Sequence, residues 1–178
     1  MKVLLTEKQI QERVKELGSQ ISHDFAGEEV LMVGILKGAF VFLADLMRHL
    51  DIPVKIDFVD LSSYGSSTES SGEVHIRKDL EHPIEGKNVL IVEDIVDTGI
   101  TIKFISEIFQ GRNPRTLKIC TFLDKPDRRK VPVVSDYNGF TIPDYFIVGY
   151  GLDYAEQYRN LPMVCILDPD NIAGDPNK

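Results

Sequence analysis

Apolar positions fall into short runs along this chain, most of them closed by charge, glycine or proline. Ile10, Val14, Leu17 and Ile21 share one helical face, and Thr6 with Gln9 has the spacing of a capping box at its start. Val30 to Leu36 is an unbroken apolar strand that stops at Lys37-Gly38. Ala39 to Leu50 reads as a helix with mixed faces. After Pro53, Val54, Ile56 and Phe58 alternate with Lys55 and Asp57 in a strand from Val54 to Leu61, and Glu73 to Arg77 alternates in the same way. Val89 to Val92 is apolar throughout and predicts a strand buried on both faces. A helix is predicted over Ile102 to Phe109, and strands over Leu117 to Leu123, Tyr145 to Tyr150 and Met163 to Leu167. Strands alternating with helices predict a parallel α/β sheet. Neither repeats nor a linker divide the chain, so residues 1–178 are read as one domain.

Ser62 to Gly72 breaks the pattern. Six serines, Thr68, Tyr64 and two glycines leave almost nothing to bury, which predicts a mobile loop between two strands.

Composition narrows the function without naming it. At 178 residues, 43% hydrophobic and 27% charged, the chain is an ordinary globular domain. A net charge of −8 argues against a general binder of nucleic acid or anionic membrane. No apolar run is long enough to span a bilayer, and Met1 to Leu5 is followed at once by Thr6-Glu7-Lys8 rather than a signal-peptide core. Cys120 and Cys165 lie inside apolar runs. They read as reduced core residues of a cytoplasmic protein, and no cysteine or histidine spacing suggests zinc.

Candidate chemistry is concentrated after the Val89 strand, in Glu93-Asp94-Ile95-Val96-Asp97-Thr98-Gly99-Ile100-Thr101. Carboxylates at the end of a parallel strand lie where open α/β sheets bind ligands. Thr98, Gly99 and Thr101 offer hydroxyls and close backbone approach at a helix start, which suits a phosphate. Glu93 and Asp94 would repel a bare anion and suit a sugar diol or a magnesium ion beside it. Phosphate plus diol points to a ribose phosphate.

This segment resembles the phosphoribosyl-pyrophosphate motif of the type I phosphoribosyltransferases. Leu36-Lys37-Gly38-Ala39, Ser63-Tyr64-Gly65, Asp124-Lys125, and Phe146 to Tyr154 continuing to Arg159 are similar to their 6-oxopurine branch, the hypoxanthine-guanine phosphoribosyltransferases, in the family's order. The resemblance implies a central, mostly parallel sheet flanked by helices, with a small hood and a flexible lid. It implies transfer of the 5-phosphoribosyl group from phosphoribosyl pyrophosphate to hypoxanthine or guanine, with Mg²⁺, in a homodimer or homotetramer.

By the same resemblance, Glu93 and Asp94 bind the ribose, and Asp97, Thr98, Gly99, Ile100 and Thr101 the 5′-phosphate. Some relatives carry a basic residue at the position of Ile100, so phosphate binding here is expected to rest on N–H groups and hydroxyls rather than a local cation. Asp97 is implied as the general base near purine N7, with capping of its own loop as the alternative role. Lys37, Gly38 and Arg159 are implied for pyrophosphate, with a non-proline cis peptide at Leu36-Lys37. Lys125, Phe146, Ile147 and Asp153 are implied at the purine. A lysine can donate to a 6-oxo group and has nothing to accept from a 6-amino group. Glu93, Asp94 and Asp153 are the expected metal ligands, and Ser63 and Tyr64 the lid residues. The rival readings are a phosphoribosyl-pyrophosphate sensor that has lost turnover, which would normally add a basic DNA-binding segment not seen here, and a phosphoacceptor domain using Asp94 or Asp97.

Overall fold

The computed structural model describes residues 1–63 and 73–168. Its elements are β1 (Lys2–Leu5), α1 (Glu7–Asp24), β2 (Val30–Leu36), α2 (Phe40–Met47), β3 (Val54–Ser63), β4 (Val74–Lys78), β5 (Asn88–Val96), α3 (Ile100–Gln110), β6 (Thr116–Asp124), β7 (Tyr137–Thr141), β8 (Ile147–Val148) and β9 (Val164–Ile166). A short 3₁₀ turn, Pro126–Arg128, follows β6.

Six strands form the main sheet in the order β4-β3-β2-β5-β6-β7, and β8, β9 and β1 form a separate three-stranded antiparallel hood. Within the main sheet every pairing is parallel except β3 with β4. The chain leaves β2 through α2 toward β3, and leaves β5 through α3 toward β6. These two connections therefore diverge at adjacent strands, and a crevice opens where their carboxyl ends part.

Side-chain parity explains why this sheet is covered on both faces. Val30 and Met32 of β2, with Leu90 and Val92 of β5, point into one core with Ile10, Val14, Leu17 and Ile21 of α1 and Phe42, Leu43 and Leu46 of α2. Leu31, Val33 and Ile35, with Val89 and Ile91, point the other way, against Ile102, Ile105 and Phe109 of α3. Continuous apolar runs in β2 and β5 are what two covered faces require. The α1 capping box forms as the spacing predicts, Gln9 N–H donating to Thr6 Oγ1 at 3.3 Å and Thr6 N–H to Gln9 Oε1 at 2.9 Å.

Several local expectations are corrected. The second helix is shorter than Ala39 to Leu50, ending at Met47. In β3 the expected faces are partly exchanged: Ile56 is exposed, whereas Asp57 is buried. Asp57 is tolerated inside because its carboxylate accepts N–H bonds from Phe58 at 2.7 Å and Glu81 at 2.9 Å, with Lys78 Nζ at 3.7 Å. The same strand runs through Ser62 and Ser63, which pair with His75 and Val74, so the serine-rich excursion begins later than expected. Only Ile147–Val148 of the Tyr145 to Tyr150 stretch is strand. The strands β1 and β7 carry no local pattern that predicts them. Cys120 and Cys165 are buried and free, as read from the sequence. Tyr64 and the rest of the expected lid, 64–72, lie outside the described residues. Among the described residues, no helix is long and apolar enough to cross a membrane.

Candidate active site

At the crevice, a cavity of about 260 Å³ is lined by Leu36, Gly38, Glu93, Asp94, Asp97, Gly99, Thr101 and neighbouring apolar residues. The β2–β5 register sets Gly34 beside Val92, so the Leu36-Lys37-Gly38 turn comes to lie against the Glu93-Asp94 pair. The Leu36–Lys37 peptide is cis.

Glu93 is buried, and Asp94 is half-buried at the cavity wall. Burial pushes the Glu93 carboxyl well above the usual carboxylate range, and the charges of Asp94 and Asp97 push it further. Burial also raises Asp94, against hydrogen bonding with Glu93, the Ile95 N–H at 2.7 Å and the charge of Arg159. Burial thus raises both members of the pair, and their titrations are linked. A protonated acid beside a carboxylate offers one donor and several acceptors, which neighbouring hydroxyl groups can satisfy. A cation would satisfy the same pair by displacing that proton.

The following turn is built for an anion. Gly99 adopts φ +82°, and α3 begins there with no side-chain cap from Gly99 itself, at a helix start of the kind that binds anions. Thr98 Oγ1 accepts from Ile100 N–H at 3.3 Å. Asp97 Oδ1 accepts from Thr98 N–H at 2.6 Å, so the capping role read from sequence is present. Lys130 and Val131 N–H groups bond to the Thr98 carbonyl at 2.9 and 3.2 Å, fixing the turn against the segment after β6.

Two arginines that the sequence reading did not select complete this wall. Arg128 Nε stands 3.8 Å from Asp97 Oδ2. Arg129 donates to the Asp97 carbonyl at 3.2 Å, pairs with Asp124, and packs against Gly99. Position 100 carries no cation, as the sequence shows, and the two arginines that approach the turn from the segment after β6 are engaged by Asp97, Asp124 and Asp144. Nothing in the local pattern of Arg128-Arg129 signals that approach.

Beyond the turn lie the residues assigned to a base. Lys125 follows β6 and is tied to β5 by its N–H bond to the Val96 carbonyl at 2.9 Å. Its ammonium is buried, donates to the Tyr145 carbonyl, and lies 3.5 Å from Asp144. Phe146 exposes 47% of its surface, with its ring edge-on to Tyr154 at 5.6 Å, whereas Ile147 is buried in β8. An exposed Phe146 is not the core aromatic that a strand position would otherwise suggest.

The third wall comes from the hood. Arg159 donates to the Gly151 carbonyl at 2.9 Å and pairs with Asp153 at 3.1 Å and Glu156 at 3.2 Å. Lys37 reaches the other Glu156 oxygen at 2.9 Å. Arg159 Nε is buried without a partner among the described residues. Asp153 does not join Glu93 and Asp94: no group of three metal-ligating side chains occurs among the described residues, because the Asp153 carboxylate is taken by Arg159 and by the Glu156 N–H at 2.9 Å. Asp153 thus stands on the Arg159 side of the crevice, apart from the Glu93–Asp94 pair. Glu156 was not selected either.

Comparison with known proteins agrees with this geometry. Residues 2–155 match the phosphoribosyl transferase domain. This chain belongs to the phosphoribosyltransferase family, in its hypoxanthine-guanine branch. It is 51% identical over 168 residues to the hypoxanthine-guanine phosphoribosyltransferase of Bacillus subtilis strain 168, covering 94% of this chain and 93% of that one. A crystal structure of a hypoxanthine phosphoribosyltransferase from Staphylococcus aureus superposes with a TM-score of 0.91 at 53% identity, covering 95% and 92% of the two chains. That of a hypoxanthine-guanine phosphoribosyltransferase from Bacillus anthracis, with HEPES in its active site, gives 0.90 at 52%, covering 94% and 99%. The type I phosphoribosyltransferase fold places the sheet, the hood and the crevice of this chain in the arrangement its relatives share.

Proposed function

We propose that this protein transfers the 5-phosphoribosyl group from phosphoribosyl pyrophosphate to hypoxanthine or guanine, a purine-salvage reaction that yields the nucleoside monophosphate and pyrophosphate. The observation that carries this reading is the Glu93–Asp94 pair facing one cavity with the start of α3. Relatives about half identical over most of their length bear that activity in their names.

Each demand of the reaction then has a candidate. Glu93 and Asp94 hold the ribose hydroxyls, and the turn from Asp97 to Thr101 takes the 5′-phosphate on N–H groups and hydroxyls, with Arg129 supporting the turn. Lys37, the Gly38 backbone and Arg159 take the pyrophosphate; the unpartnered Arg159 Nε supports this assignment. Lys125 donates to the purine 6-oxo group, Phe146 covers one ring face, Ile147 offers its backbone, and Asp153 positions Arg159 at the rim of the base site.

As the bond from the anomeric carbon to the pyrophosphate oxygen breaks, purine N9 bonds to that carbon. The N7 proton passes to Asp97, and the electron pair of the broken bond leaves with pyrophosphate. The N–H bond from Thr98 favours a second, architectural role for Asp97, and the two roles are compatible, since that bond engages one carboxylate oxygen while the other lies 3.8 Å from Arg128.

Magnesium fits the chemistry of the site. Burial raises both adjacent carboxyls, and the charges of Asp94 and Asp97 raise Glu93 further, so the pair gains from a cation, and Mg²⁺ needs few protein ligands when substrate oxygens are present. Glu93, Asp94 and Asp153 are the residues that would help to hold it. When bound, the ion offsets charge on the departing diphosphate.

Free, buried cysteines support a cytoplasmic location, and exposed Phe40 and Met47 on α2 support assembly as a homodimer or homotetramer. The test is an assay with phosphoribosyl pyrophosphate, MgCl₂ and each of adenine, hypoxanthine, guanine and xanthine. Pyrophosphate release dependent on a 6-oxopurine supports the reading, and binding without release would replace it with a sensor.

A further inference from the structure

Glu156 stands at the centre of an ion network that joins the two parts of the fold. Its Oε2 is 2.9 Å from Lys37 Nζ on the β2–α2 turn, and its Oε1 is 3.2 Å from Arg159 Nη2 in the hood. Its own N–H holds Asp153, whose carboxylate holds Arg159 at 3.1 Å. One carboxylate thus spans, with its two oxygens, the two cations assigned above to the leaving diphosphate. The side chain is held there by unusual backbone: Ala155, Glu156 and Tyr158 all adopt positive φ, at 50°, 63° and 75°. Left-handed conformation at three non-glycine residues within four positions is costly, and it persists where the surroundings fix it. Lys37 and Arg159 also hold the Glu156 carboxyl below the usual glutamate range, with Lys37 the leading cause.

We propose that Glu156 is an internal stand-in for pyrophosphate: it occupies Lys37 and Arg159 in the ligand-free protein, is displaced when the diphosphate enters, and returns as it leaves. Glu156 touches no reacting atom and acts through the two cations, so it is a positioning residue. By holding Lys37 and Arg159 within one ion network, it keeps the site preformed, and by competing with the ligand it limits how tightly the product is retained. The inference rests on the assignment of Lys37 and Arg159 to pyrophosphate.

The side chain of Glu156 is 66% exposed, so the competition it offers is modest. Exposed ion pairs are worth little, and removing two of them corresponds to about a two- to fivefold change in affinity.

The experiment is calorimetric titration of inorganic pyrophosphate, in MgCl₂, into the wild-type protein and the Glu156→Gln, Glu156→Asp and Lys37→Met variants. Glu156→Gln keeps the shape and removes the competing charge, so pyrophosphate should bind about two- to fivefold tighter. Glu156→Asp should restore the wild-type value at least in part, which a merely structural residue would not do in that direction. Lys37→Met should weaken binding. If Lys37→Met weakens binding while Glu156→Gln leaves it unchanged or weakens it, the inference is overturned and the pyrophosphate assignment stands. If Lys37→Met has no effect, the assignment falls and the inference with it.

Discussion

A side-chain carbon at Gly38 would collide with Oδ2 of Asp94. The turn after β2 and the acidic pair after β5 therefore meet without room for a methyl group, and the two carboxyl ends that open the crevice are set by that contact. Asp94 has little freedom to retreat, because its other oxygen accepts the Ile95 N–H at 2.7 Å.

Gly38→Ala must move either the Lys37 turn or the Asp94 carboxylate. Overpacking of this kind costs about 1–3 kcal/mol. We expect kcat/KM for phosphoribosyl pyrophosphate to fall at least about tenfold, which is the size of effect a displacement of about 1 Å in a site can bring. Steady-state kinetics with thermal melting checks it; unchanged kinetics would show that the contact does not shape the site.

Glu93 carries a stability cost with a definite sign. Its folded-state pKa is raised, so at low pH the carboxyl is protonated in folded and unfolded chains alike and imposes nothing. As pH rises above about 4.3 the unfolded chain releases the proton before the folded one does, and stability is lost up to the folded pKa. Glu93→Gln should therefore melt with the wild type near pH 4 and above it at pH 8, by about 2–4 °C for each kcal/mol relieved. Melting without metal or substrate across that range is the measurement. A gain that is largest in acid would contradict the cause assigned here.

Lys125 discriminates between substrates if it reads the 6-oxo group. Lys125→Met preserves most of the buried stem and removes the donor. KM for hypoxanthine and guanine should rise by about tenfold or more, as expected when a buried polar contact is lost. KM for phosphoribosyl pyrophosphate should change by less than about twofold, since Lys125 contacts the Tyr145 carbonyl and Asp144 rather than the acidic turn. Equal losses for both substrates would remove Lys125 from base recognition.

Tyr150 couples the hood to the helices. Its hydroxyl donates to Asp45 at 2.6 Å, beside Gln11 at 2.9 Å and Arg48 at 2.6 Å. Burial works against the Asp45 charge, yet these three bonds together lower its pKa. A depressed carboxylate stabilises above its unfolded pKa and loses that contribution as pH falls through the folded one. Tyr150→Phe should cost about 1.5–3 kcal/mol at pH 7, with the deficit fading in acid once Asp45 is protonated. Urea unfolding at pH 7 and pH 3 measures both limbs.

The parts of this protein that were legible in its sequence are those where burial writes a local pattern. β2 and β5 are covered on both faces, so each is apolar residue by residue, and the acids and glycine that end β5 are contiguous. α1 declares itself by one apolar stripe and a capping box. The strands β1 and β7 were not legible, since β1 is defined by its pairing with β9 across the length of the chain and β7 is short and polar. Asp57 shows the same limit from the other side: its burial depends on N–H groups from Phe58 and Glu81, and the second lies 24 residues away. In the site, the contiguous residues from Glu93 to Thr101 were found. Arg128, Arg129 and Glu156 were missed, because the contacts that bring them to the site, Arg128 and Arg129 to Asp97 and Glu156 to Lys37, span 31 to 119 residues of sequence.

The most direct test of the whole account is a crystal structure of the protein with phosphoribosyl pyrophosphate and Mg²⁺. The ribose hydroxyls should lie against Glu93 and Asp94, the 5′-phosphate on the turn from Asp97 to Thr101, and the diphosphate between Lys37 and Arg159. A sugar phosphate bound anywhere else, with the acidic pair left in contact only with water, would contradict it.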